Sequence, residues 1–69
     1  MVYKMEYEKV LKSGKTVLIY EDVLTETKLE GKAVLVKKIQ GGQIQRWLVQ
    51  FITKDGTLDY MVERSIKSD

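Results

Sequence analysis

Apolar residues recur at every second position along most of this chain, the spacing of strands that bury one face. Residues 46–53 carry the clearest run: Trp47, Val49 and Phe51 point one way, and Arg46, Leu48, Gln50 and Ile52 the other. β-Branched and aromatic side chains dominate it, and these pack well on a pleated surface. Residues 32–39 form the second run. Simple alternation puts Ala33, Leu35 and Ile39 on one face, and Val34, Val36 and Lys38 on the other. Gly41-Gly42 between the two runs supplies a turn, so they read as antiparallel neighbours. Lys54-Asp55-Gly56 makes the next turn, and Leu58, Tyr60 and Val62 alternate after it. Residues 32–64 thus predict a three-strand meander.

Upstream, residues 15–20 predict another strand, introduced by Ser13-Gly14. Residues 21–31 hold only Val23, Leu24 and Leu29 as large apolar side chains and read as a long ordered loop. A short helix capped by Asp22 and ended by Gly31 is the alternative, which Thr25 and Thr27 disfavour. Residues 1–12 fit an edge strand, through alternating Tyr3, Met5 and Tyr7, or one to two helical turns. Residues 66–69 read as a frayed tail.

Composition narrows the class. The 69 residues, 43% of them hydrophobic, make one small domain spanning 1–69, too rich in apolar residues for disorder. Neither Cys nor His occurs. That removes disulfides, thiolate or imidazole metal sites, and Ser-His or Cys-His nucleophiles. We expect no enzyme, no catalytic residues, no cofactor and no metal. The amino-terminal residues lack the apolar core of a signal peptide, and no apolar run approaches a membrane span. The expectation is a soluble, cytoplasmic protein with no membrane partner.

Alternating strands with two unpaired edges are best buried by closing into a small barrel, in whose interior Val17, Leu35, Val49 and Val62 should meet. Trp47-Leu48-Val49-Gln50-Phe51 followed by Asp55-Gly56 resembles the tryptophan-x-valine-x-phenylalanine and aspartate-glycine hairpin of SH3-like barrels, the group that includes SH3, Tudor and KOW modules. Lys15-Thr16-Val17-Leu18-Ile19-Tyr20-Glu21-Asp22 is similar to their opening strand and the start of the long loop. The resemblance covers about residues 14–66 and extends to small uncharacterised proteins of bacteria, phages and plasmids. It implies a mainly β fold, a barrel of about five antiparallel strands with a long first loop, and a general capacity to bind other molecules. An OB-type barrel is the runner-up. That fold usually carries a helix between its third and fourth strands, for which the turns here leave no room.

Charge is uneven. Residues 32–54 hold Lys32, Lys37, Lys38, Arg46 and Lys54 without an acid, net +5; residues 21–31 carry net −3; the whole chain is +2. Two binding readings follow. A protein partner would use an aromatic groove made by Tyr20, Trp47 and Tyr60, which also has the makings of a cage for a methylated cation. Trp47 and Phe51 equally suit the core. A nucleic acid would lie on Lys37, Lys38, Arg46 and Lys54, with Lys38 and Arg46 on one face and Lys37 on the other. Those cations equally suit a solvated hairpin paired to the acids of residues 21–31. The carboxylates Glu21, Asp22 and Glu26 match no calcium-loop spacing and read as loop solvation. Lys12-Ser13-Gly14-Lys15-Thr16 ends like a phosphate loop but lacks its first glycine and its following helix. The Asp55-Gly56 turn requires a left-handed residue. Gly56→Val is therefore expected to lower the melting temperature, and an unchanged value in calorimetry would show a different turn type.

Overall fold

The computed structural model describes residues 10–68. They form β1 (Thr16–Asp22), β2 (Thr27–Gln40), β3 (Ile44–Ile52) and β4 (Leu58–Lys67). The strands lie in one open sheet in the order β1-β2-β3-β4, every neighbour antiparallel. The predicted meander is present, and β1 extends it by one strand. Among the described residues there is no helix, so none is long and apolar enough to cross a membrane.

Each turn has a local cause. Gly14, Gly42 and Gly56 take φ of 89°, 112° and 88°, a region closed to most side chains. At the last turn Asp55 accepts hydrogen bonds from the Thr53 hydroxyl and from Thr57 Oγ1 at 3.0 Å, and Gly56 N donates to Thr53 O at 3.0 Å. The expected loop over residues 21–31 is instead a tight β-hairpin, with Asp22 opposite Thr27 and only four residues between them. Asp22 Oδ1 accepts from Thr25 N at 3.3 Å, and Glu26 and Lys28 absorb the reversal at φ of 54° and 62°. This hairpin runs past the core, so Leu24 and Leu29 are exposed and the apolar alternation that announces a strand is missing.

The core gathers one face of all four strands: Ile19 from β1, Ala33 and Leu35 from β2, Trp47 and Val49 from β3, Ile66 from β4. Leu11, Val17, Phe51 and Val62 pack against it. The expected interior of Val17, Leu35, Val49 and Val62 is therefore present, and Trp47 belongs to it. Its indole is 2% exposed and its Nε1 donates to Gln45 Oε1 at 2.8 Å. Ile19, Leu35 and Val49 are fully enclosed, each stabilising the fold by roughly 1.5–3 kcal/mol through burial. Ile66 is 4% exposed and Ser68 N donates to Gln43 O at 2.8 Å, so residues 66–68 are a strand end held in the sheet and not a frayed tail. Residues 10–12 form no regular element; the rest of the strand or helix expected over 1–12 lies outside the described residues, as does Asp69. The described chain contributes four strands to the expected five.

The alternation is broken by bulges. The pairing skips Glu30, Val36 and Ile39 on β2, and Asp59-Tyr60 of β4 together oppose Phe51. The bulge at Val36 moves Lys37 opposite Leu48 and Lys38 opposite Trp47. Ile39 leaves the face it was expected to share with Leu35 and is 40% exposed.

Gly31 sits beside the Phe51 ring. A Cβ there would fall 3.1 Å from Phe51 Cδ1. Gly31→Val is expected to destabilise by about 1–3 kcal/mol in urea titration. Adding Phe51→Leu should restore part of the loss; a pair that simply sums would show that the contact is not the cause.

Candidate functional site

Arg64 and Glu30, 34 positions apart, meet in a two-pronged ion pair. β4 carries Arg64 on the core side, opposite Trp47, and the β2 bulge brings Glu30 towards it. Arg64 Nε donates to Glu30 Oε1 at 2.9 Å and Nη2 to Oε2 at 2.6 Å, while Nη1 donates to the Glu63 carbonyl at 2.8 Å. The guanidinium carbon stands 5.5 Å from the Phe51 ring centroid, a cation–π distance. The hydrogen bonds from Arg64 hold the Glu30 carboxyl below its usual range, and those to Glu30 raise Arg64.

This pair is a wall shared by two surface grooves of about 400 Å³ each. One lies towards β1 and is lined by Tyr20, Val23, Arg46, Glu63 and Ser65. The other lies towards the last turn, between Gly31, Phe51, Ile52 and Val62, with Tyr60 and Asp59 on its rim. Tyr60 is 83% exposed, more than any other large hydrophobic side chain among the described residues. Thus two of the three expected groove residues, Tyr20 and Tyr60, do line grooves, but separate ones. Trp47 lines neither, because its ring fills the core. With Trp47 enclosed, no aromatic cage of the expected composition forms.

The four expected nucleic-acid contacts do not converge. Lys37 lies on the outer face with Arg46, and Lys38 on the opposite face, the reverse of the simple alternation, because of the bulge at Val36. Arg46 is paired with Glu63 at 3.4 Å. Lys54 belongs to the turn beyond Ile52, and the strand from Arg46 to Ile52 alone spans about 20 Å. No local pattern announces the Glu30–Arg64 pair. Gly31 was the one available sign, since a glycine inside a strand often marks a close approach by another group.

No protein-family model matches the chain, and no curated protein and no solved structure shows significant similarity to it.

The ion pair predicts an acid sensitivity. Glu30 has a depressed folded pKa, so its contribution is present above its ordinary value of 4.5 and fades as pH falls through the lower folded value. Both side chains are about one-third exposed, which keeps the coupling near 0.5–1 kcal/mol. Asp55, lowered by hydrogen bonds from Thr53 and Thr57, acts in the same direction. Glu30→Gln should lower stability at neutral pH and flatten the decline below about 4.5. An acid limb of unchanged slope in urea titrations would remove this role.

Proposed function

We propose that this chain is a non-catalytic binding module, built as a small SH3-like barrel, that takes an extended segment of a protein partner into the grooves beside Arg64–Glu30. Support for the barrel is the single core drawn from all four strands, with the ends of β1 and β4 close to each other without a ladder between them. The observation that carries the binding reading is the groove floored by Phe51 and Val62, with an almost fully exposed Tyr60 on its rim. An amphipathic ring offers large contact area at low entropy cost, the usual currency of peptide recognition. Two acids, Glu30 and Asp59, border the same groove. The dispersal of Lys37, Lys38, Arg46 and Lys54 argues for a protein partner over a nucleic acid, since phosphate contacts need cations along one surface. A cysteine-free chain suits work in a reducing compartment such as the cytoplasm.

The test is a display selection of random peptides on the immobilised full chain. Selected peptides should shift the amides of Phe51, Tyr60 and Val62 in NMR titration. Tyr60→Ala should weaken them at least about tenfold, or about 1.4 kcal/mol, with Lys54→Ala unchanged. A selection without binders, or a salt-sensitive shift of the Lys37 and Arg46 amides by short oligonucleotides, overturns the reading.

A further inference from the structure

β4 has one strand neighbour among the described residues, and its two halves differ. Ser65, Ile66 and Lys67 lie alongside Leu18, Tyr20 and Val23 of the first hairpin across a narrow slot, and Lys67 Nζ reaches the Leu24 carbonyl at 3.4 Å. Among the described residues the first half has no such cover, and there Leu58, Tyr60 and Met61 are 50%, 83% and 56% exposed.

The hydrogen-bond phase of this edge follows from the ladder. Ser68 N donates to Gln43 O, so every second pair from there is a hydrogen-bonded one, through Trp47–Arg64 and Val49–Val62. The residues between, Met61 and Glu63, turn their N–H and C=O away from β3. Arg64 Nη1 already occupies one lone pair of the Glu63 carbonyl, and the other remains.

From this edge we infer that the chain pairs with a second copy of itself, β4 against β4 in antiparallel order, about a twofold axis at Val62. The register is chosen by charge. Side chains keep to their faces only in alternate registers. Centring on Met61 sets Asp59 against the partner's Glu63 at both ends, and centring on Glu63 sets two glutamates opposite each other. Like charges directly opposite are destabilising. Centring on Val62 avoids both. It matches the outward groups of Met61 to those of the partner's Glu63, giving four backbone hydrogen bonds, and it places the exposed Tyr60 opposite the partner's Arg64. The bulge at Asp59-Tyr60, whose Tyr60 N–H is capped by Asp59 Oδ1 at 2.9 Å, ends the ladder on each side. The pairing is short and closed, a dimer and not a fibre. It goes beyond the peptide-binding reading and does not rest on it.

The register has a direct readout because the chain contains no cysteine. In this arrangement the two Val62 residues form a non-hydrogen-bonded pair, about 4.5 Å between Cα atoms, within disulfide range. Val62→Cys should cross-link to a dimer under mild oxidation at least tenfold faster than Met61→Cys or Glu63→Cys. Light scattering on the unmodified full chain should rise from 8.0 kDa towards twice that mass with concentration. Glu63→Pro removes an outward N–H together with the carboxylate that pairs with Arg46 and should keep the chain monomeric, while Glu63→Gln, which loses only the carboxylate charge, should still dimerise. A mass fixed at 8.0 kDa up to about 1 mM, where even a millimolar Kd would show, overturns the proposal. So does faster cross-linking at position 61 or 63, or growth beyond the dimer.

Discussion

Arg64 reaches from β4 to Glu30 on β2 over the ring of Phe51, and this contact joins strands that share no hydrogen-bond ladder. An open four-strand sheet has one apolar face to bury and only its own curvature with which to bury it. Here the first and last strands approach at one end, and the space further along is spanned by an aromatic ring capped by an ion pair. Gly31 lets the ring settle, since any Cβ would meet it. Glu30 is available because a bulge frees it from the pairing. A partly exposed ion pair contributes little energy by itself. Its weight is geometric: it fixes where the core ends and where the grooves begin.

Bulges decide most of what reaches the surface. β2 is 14 residues long and bends around the core, and its three skipped residues let it do so without losing its partners. Each skip changes which side chains share a face beyond it. Lys37 and Lys38 trade faces and Ile39 turns towards solvent, so a basic run in the sequence becomes scattered cations. The Asp59-Tyr60 bulge has a related effect on β4, where it limits the ladder available to another strand.

The two surfaces that stand out both adjoin the Arg64–Glu30 contact. The grooves lie on either side of the Arg64–Glu30 wall, and the half of β4 outside the slot shared with the first hairpin is uncovered among the described residues. Tyr60 belongs to both features, on the rim of a groove and next to a free edge. A partner peptide and a second copy of the chain would therefore sense each other through this one ring.

Much of the fold was legible because a period of two is a local signal. Trp47, Val49 and Phe51, the glycine turns and the Asp55-Gly56 pair announce strands and reversals without reference to distant residues. They fixed the β class, the meander and most of the core, Leu35 and Val49 above all. The first hairpin stands where a loop is expected because it runs beyond the core and need not alternate, and its turn uses Glu26 and Lys28 in a backbone region that usually calls for glycine. Tertiary structure alone settled the bulges, the burial of Trp47 that takes it out of any groove, and the meeting of Glu30 with Arg64. Those depend on how whole strands pair and pack, a property of residues distant in the chain, 34 positions apart for Glu30 and Arg64, that no local pattern encodes.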